Sequence, residues 1–317
     1  MVHISEKIIK GKKYKYLVNS IRLPDGTLKK ISKLIKTGDV KNLKKEYSGV
    51  FLQKEKDLNI NWALKKFGES KILTKEEIEK IESIRIDYKY LIKKLTKEQL
   101  RDVFDRFIVN FTYESNAMEG NSLTLKDVAI VIFDKRYSKE KDLREIYETS
   151  NSRNVLDMLL KKKFKVSHES IIKMHKMLMK DIDTRSGYKK ISNFLLGKRL
   201  QTTPPEKVYE EMTKLINWYN ENIEKIHPLI VAAIFHSRFE KIHPFEDGNG
   251  RVGRFLVNTI LVNNGYPPII IRKTSRTAYF TCLESADNGQ YDKMERFLIE
   301  KFKNTYKNFF EIYIKYI

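Results

Sequence analysis

Only 13 glycines and 7 prolines punctuate 317 residues, so this chain has few places at which to turn. Lysine, glutamate, leucine and isoleucine dominate what lies between, and most of these are good helix formers. From about residue 97 onward apolar residues recur at spacings of three and four, the period of a helix with one buried face. The spacing predicts helices over 97–118, 124–133, 141–163, 167–181, 205–225, 228–240, 249–264, 274–287 and 291–314. One stretch breaks the pattern. Residues 187–203 begin too β-branched and run too short for another helix, and Pro204-Pro205 ends them, so they read as a short β-hairpin or extended flap. The expected fold class is therefore all-α with one small β element in the core.

The N-terminal part differs. KYKYLVNSIRL and TLKKISKLIK are rich in β-branched and aromatic residues, and Pro24-Asp25-Gly26 supplies turn chemistry between them. Residues 8–36 thus read as a β-ribbon, followed by helical patterns at about 40–66 and 74–95. Thr74-Lys75-Glu76-Glu77 has the form of a capping box for the second. A boundary near residue 70 divides an N-terminal ribbon and helix, 1–70, from a core region, 71–317.

Composition narrows the function classes. With 41% hydrophobic residues the chain can bury a sizeable core. No apolar run has transmembrane length and the first residues lack a signal peptide's apolar stretch, so the expectation is a soluble, cytoplasmic protein without membrane association. The single cysteine, Cys282, asks for no oxidising compartment. A formal charge of +21 suits acidic partners, nucleic acid included. Yet lysines are spread along the whole chain, and the densest cluster is only Lys161, Lys162, Lys163 and Lys165. Solvated helix faces account for that distribution without any such partner.

The chemistry is concentrated in His243-Pro244-Phe245-Glu246-Asp247-Gly248-Asn249-Gly250-Arg251-Val252-Gly253-Arg254. A glycine-rich turn that feeds a helix start offers backbone N–H groups at the positive end of the helix dipole, a natural seat for di- or triphosphate. Arg251 and Arg254 lie three apart in the first turns and can reach an anion held there. Asp247 is a hard oxygen ligand beside the cradle, and magnesium needs only one or two carboxylates when phosphate supplies the rest. His243 can take a proton from an incoming hydroxyl near neutral pH. Phe245 is expected beneath the loop. A base, a metal ligand, a cradle and two cations are the parts phosphoryl-type transfer needs. Asp-Gly and Asn-Gly are also ordinary hairpin signals, but here the flanks are helical.

This segment resembles the signature of the Fic family, His-Pro-Phe-x-Asp/Glu-Gly-Asn-Gly-Arg-x-x-Arg, at every specified position. The similarity runs from about residue 97 to 300 and includes the flap, VAAIFHSRFEKIHPF, NNGYPPIIIRK and SRTAYFTCLESADNGQYDKMERFL. The resemblance implies transfer of AMP from Mg-ATP to Ser, Thr or Tyr hydroxyls of target proteins. His243 is then the general base and Asp247 the Mg2+ ligand. Gly248, Asn249, Gly250 and the local amides hold the α-phosphate, Arg251 contacts the phosphates and Arg254 the γ-phosphate. Attack at the α-phosphorus expels pyrophosphate. Tyr279, with Phe280, matches a segment near the adenine, although Asp287 stands where relatives often have Asn. Tyr188, Ile191, Asn193 and Leu195 belong to a flap that binds an extended target segment by strand addition. The target protein is not named by the sequence; self-modification is expected, and a homodimer is left open.

A second segment, Ser115-Asn116-Ala117-Met118-Glu119-Gly120-Asn121, closes the helix that begins near Gln99. Ser115 and Glu119 share a helical face, and a carboxylate at a helix C-terminus is better placed if a cation pairs with it. The segment is similar to the inhibitory Ser/Thr-x-x-x-Glu-Gly/Asn motif that some Fic proteins carry N-terminal to the core. There the glutamate pairs with the second arginine of the signature, here Arg254, and keeps ATP from binding productively. In some relatives it also serves removal of AMP.

Two rival classes stand beside this reading. His227, His236 and His243 suggest a metal-dependent phosphodiesterase or nuclease, but none is paired at one-turn spacing. His227 suits a helix start and His236 a packed or capping position. A nucleic-acid-binding module with an inactive core is the other alternative. Trp62 and Trp218 read as core residues.

Overall fold

A computed structural model describes residues 2–35, 40–137, 140–192 and 202–314. The chain divides into two compact units, Met1–Asp87 and Tyr88–Ile317.

The first unit opens with an antiparallel sheet of three strands, β1 (Val2–Ile9), β2 (Lys12–Arg22) and β3 (Leu28–Ile35), in that order. Sequence reading anticipates β2 and β3 but not β1. The missed strand lies at an edge, and its residues from Glu6 to Ile9 are exposed, so no buried alternation marks it. Its turn, Lys10-Gly11, has positive φ at both residues (50° and 75°), as a tight two-residue hairpin requires, without the Asn-Gly or Asp-Gly that normally signals one. The second turn follows its sequence: Asp25 accepts from the Thr27 amide at 2.9 Å and Gly26 has φ 84°. Ile4 pairs with Leu17, which opposes Lys33. Leu17, Ile35, Leu43 and Phe51 form the buried centre, with Val2, Ile4, Ile31 and Tyr47 against it. The helix expected over 40–66 is two, α1 (Val40–Glu46) and α2 (Ser48–Phe67), divided at Tyr47. In α3 (Lys75–Lys94) the Glu77 amide donates to Thr74 Oγ1 at 3.3 Å, the cap anticipated there.

The second unit is helical. Its elements are α4 (Lys97–Met118), α5 (Leu125–Phe133), α6 (Leu143–Leu160), α7 (His168–Leu178), α8 (Pro205–Asn222), α9 (Pro228–Ile242), α10 (Asn249–Asn263), α11 (Arg276–Asp287), α12 (Asp292–Thr305) and α13 (Glu311–Ile314). A 3-10 turn, Lys273–Ser275, leads into α11, and a π turn, Tyr306–Phe310, joins α12 to α13. The starts of α4 and α5 carry reciprocal caps, Thr96 with Gln99 and Thr124 with Asp127. At the end of α4, Gly120 (φ 100°) follows the last turn and lets the Asn121 amide return to the Asn116 carbonyl at 3.2 Å.

Helix α10 is the hub. Every residue from Arg251 to Val262 is buried, so polarity at its start cannot be a solvated face and must be paired or functional. It packs against α9, α6, α7 and α4, while α12 covers α9 with a strongly amphipathic face. Residues 187–192 and 202–203 form no strand; Asn193 and Leu195 of the expected flap lie outside the described residues. No helix among the described residues is long and apolar enough to cross a membrane.

The α9–α10 approach depends on Gly253. A Cβ placed there would lie 2.3 Å from Glu240 Oε1 and 2.8 Å from His236 Cε1. Both neighbours are packed side chains, so Gly253→Ala must overpack the contact. We expect it to lower unfolding free energy by about 1–3 kcal/mol in denaturant titration. Stability equal to the parent chain would show that α9 can move away freely.

Candidate active site

The segment 243–254 joins α9 to α10. His243 ends α9 in the left-handed region (φ 52°, ψ 62°), a conformation unfavourable for a residue with a side chain. The strained corner turns the chain sharply toward the next helix. Phe245 is fully buried and stacks flat on His175 of α7, with ring centres 3.8 Å apart and planes at 3°. His175 Nε2 lies 3.0 Å from the Asp247 carbonyl oxygen and supports the loop from below. Asn249 closes the loop with two bonds, accepting from the Phe245 amide (2.9 Å) and donating to the Phe245 carbonyl (2.7 Å). Its side chain is thus a brace for the loop, and Asn249 also lines the cleft above it. Gly248, at φ 79°, starts α10.

Above this loop lies a cleft of about 530 Å³. His243, Asp247 and the start of α10 from Gly248 to Arg251 line one wall; Glu119 and the first turns of α6 line the other. The cleft therefore collects the base, the carboxylate and the glycine-rich helix start foreseen in the sequence.

Arg254 stands just behind, 2% exposed. Its Nε donates to Ser115 Oγ at 3.0 Å and its Nη2 to the Ser115 carbonyl at 2.8 Å. Nη2 also meets Glu119 Oε1 at 2.8 Å. Burial disfavours the guanidinium charge, but the Glu119 carboxylate overrides it, and the pKa of Arg254 moves up. The Glu119–Arg254 pair expected from sequence is formed. The same carboxylate presses on the helix start: a Cβ on Gly250 would sit 2.2 Å from Glu119 Oε1.

Sequence reasoning missed Arg144 and Glu148, one turn apart on α6. Arg144 forms an ion pair with Asp247 and another with Glu148 at 3.3 Å. Glu148, buried, also lies 3.3 Å from Arg251, and Arg251 lies 4.0 Å from Asp247. Four alternating charges thus form a closed ring between α6 and α10. Burial raises the pKa of Asp247, while Arg251, Arg144 and the Gly248 amide lower it, with a net downward shift. Arg251 Nε has no hydrogen-bond partner among the described residues. The signal available in the sequence was an arginine in the first turn of α6, where the helix dipole disfavours positive charge.

Other expectations change. Tyr279, expected at the nucleotide, is 1% exposed and its hydroxyl lies 2.8 Å from His236 Nε2, so it belongs to the packing behind Arg254 and does not line the cleft. Its neighbour Phe280 is half-buried beneath the Arg276 guanidinium, 4.9 Å away. Tyr188 turns inward, with its hydroxyl 2.8 Å from His168 Nδ1 and its ring against Phe245, and so anchors the segment. Ile191 is 67% exposed. The Lys189 amide donates to the Pro244 carbonyl at 2.8 Å and the Lys190 amide to Glu246 Oε1 at 2.9 Å, tying these residues to the catalytic loop. His227 caps α9, accepting from the Leu229 amide, with Tyr266 on its other nitrogen. These contacts occupy His227 and His236, and no cluster of three or more metal-binding side chains occurs among the described residues.

Residues 165–261 match the model of the Fic/DOC family. Over this stretch the chain resembles Fic proteins. It is similar to Protein adenylyltransferase Fic of Drosophila erecta, 29% identical over 198 residues that cover 61% of this chain and 40% of the relative. It is 30% identical over 191 residues to Protein adenylyltransferase Fic of Nematostella vectensis, covering 59% and 45%. Among solved structures, a Fic family protein from Desulfovibrio desulfuricans G20 superposes with a TM-score of 0.66 at 26% identity, covering 75% of this chain and 74% of that one. A Fic domain containing signaling protein from Bacteroides thetaiotaomicron gives 0.62 at 28% identity, covering 74% and 94%. The chain spans about two fifths of the length of the first curated relatives it matches.

The packing of α9 and α7 has a pH consequence. Burial, reinforced by the Arg254 charge, pushes the pKa of His236 down to about 3. His175 moves in the same direction, chiefly through burial. In the unfolded chain both titrate near 6.5, so below that pH the unfolded state binds protons that the folded state refuses. Stability is full above pH 6.5 and is lost as pH falls. We expect His236 alone to contribute a slope approaching about 1.4 kcal/mol per pH unit below pH 6, measured by denaturant unfolding at pH 7.5, 6.5 and 5.5. A flat profile would mean that these imidazoles accept protons in the folded state.

Proposed function

We infer that this chain is a protein adenylyltransferase, moving AMP from ATP to a hydroxyl of a protein, and that Glu119 restrains it. The observation that carries the reading is an anion already in the anion seat. The Glu119 carboxylate bonds Arg254 and lies over Gly250, against the N-terminal turn of α10. Phosphate oxygens would seek the same guanidinium and the same backbone space. The names of the curated relatives support the activity, and the 243–254 loop supports the division of labour.

In this reading the target hydroxyl approaches His243, which takes its proton as the oxygen attacks the α-phosphorus; pyrophosphate leaves. The first-turn amides of α10 hold phosphate oxygens, since Asn249's side chain is engaged with Phe245. Arg251, which lines the cleft, contacts the phosphates as charge develops, and Arg254, once released, holds the γ-phosphate. Asp247 suits Mg2+: it is a hard carboxylate, 38% exposed at the cleft wall beside the phosphate seat, without a competing histidine or cysteine cluster. Magnesium supplies charge neutralisation on the phosphates when bound. Backbone groups from 187–192 that are not tied to the loop supply the target-binding edge, with Ile191 an exposed apolar side chain there.

His243→Ala should abolish labelling of protein by α-labelled ATP while nucleotide affinity changes little, because the base acts on the nucleophile. Undiminished labelling would remove His243 from the mechanism. Glu119→Gly should raise self-labelling by about tenfold or more, the scale expected when a partly buried ion pair no longer competes. Arg254→Ala should stay inactive alone or combined with Glu119→Gly. If Glu119→Gly changes neither ATP affinity nor labelling, the pair is structural only.

A further inference from the structure

Arg144 sits at the second position of α6, where an unpaired cation opposes the helix dipole. Its guanidinium leaves that unfavourable place to cross the cleft wall and meet Asp247 Oδ2. The remaining carboxylate oxygen accepts from the Gly248 amide at 2.5 Å. Both oxygens of Asp247 are therefore engaged by the protein's own donors.

We propose that Arg144 is a resident counter-ion of Asp247, competing with divalent metal for that carboxylate, so that metal entry is a second lock independent of Glu119. This rests on Asp247 being the metal ligand. A dication and a guanidinium cannot share one oxygen at close range, because their charges repel and each needs the same lone pairs. The exchange is feasible because the pair lies at the surface: the side chains of Arg144 and Asp247 are 52% and 38% exposed. Arg144 keeps Glu148 as a partner 3.3 Å away when it lets go, so its charge is not stranded. The lock is separate from the first in its parts. Glu119 holds Arg254, deep behind the helix start, whereas Arg144 holds Asp247 at the cleft mouth. The segment that follows Glu119 links the two: Asn121 donates to Glu148 at 2.9 Å, and Ser122 donates to Glu145 from both its amide and its hydroxyl.

The test is Mn2+ binding to the full chain without nucleotide, followed by water-proton relaxation, for the parent protein, Arg144→Gln and Asp247→Asn. Arg144→Gln keeps a polar, flexible side chain and removes its charge, and its half-exposed site should leave the melting temperature unchanged. The expected result is Mn2+ affinity roughly fivefold tighter in Arg144→Gln, the scale of a half-exposed ion pair, and loss of the site in Asp247→Asn. Loss in Asp247→Asn with equal or weaker affinity in Arg144→Gln overturns the lock and leaves the metal ligand standing. Unchanged binding in Asp247→Asn overturns the metal ligand, and the lock with it.

Discussion

A guanidinium that is almost wholly buried demands an anion, and Arg254 organises its surroundings around that demand. Helix α10 is buried on all sides, so its arginines cannot turn to water. The Ser115 hydroxyl and carbonyl and the Glu119 carboxylate answer Arg254, and all come from the last turn of α4. That requirement fixes where α4 must end, why Gly120 follows it with a positive φ, and why the following residues turn toward α6. The resting state is thus one solution to a charge that some anion must always satisfy. On the proposed function, a nucleotide phosphate is another.

The loop below is built to keep its shape in either case. Asn249 bonds both backbone groups of Phe245, His175 supports the ring of Phe245 and the carbonyl of Asp247, and Gly248 sets the entry into α10. These contacts make no use of a ligand. Exchange of Glu119 for another anion on Arg254 can then proceed by side-chain reorientation, which is far faster than backbone refolding.

The helical core was legible because buried faces repeat at the helical period and ends carry caps: 97–118, 124–133 and 249–264 correspond to α4, α5 and α10 within a residue. The site loop was legible because its chemistry is contiguous. Arg144, Glu148 and His175 were not, since each stands on a helix of ordinary composition and acquires meaning only when α6 and α7 pack against α10. Tyr279 was misread for the same reason in reverse. A local match near an aromatic pair does not say which ring faces inward, and the neighbouring His236 decides it. Strand β1 went unseen because only Val2 and Ile4 at its start pack inward, while Glu6 to Ile9 are exposed and carry no alternation.

Gly250 gives the restraint a particular heritability. Any side chain at this position would collide with the Glu119 carboxylate, and would do so in the very volume that a phosphate must enter. On the proposed function, a lineage therefore cannot shed the restraint by substitution at Gly250 and keep its activity, because the change that evicts the Glu119 carboxylate also fills the phosphate seat. Only changes in α4 can separate the two. Loss or retuning of control should accordingly accumulate on one element of the fold, while the helix that does the chemistry stays fixed in either kind of descendant.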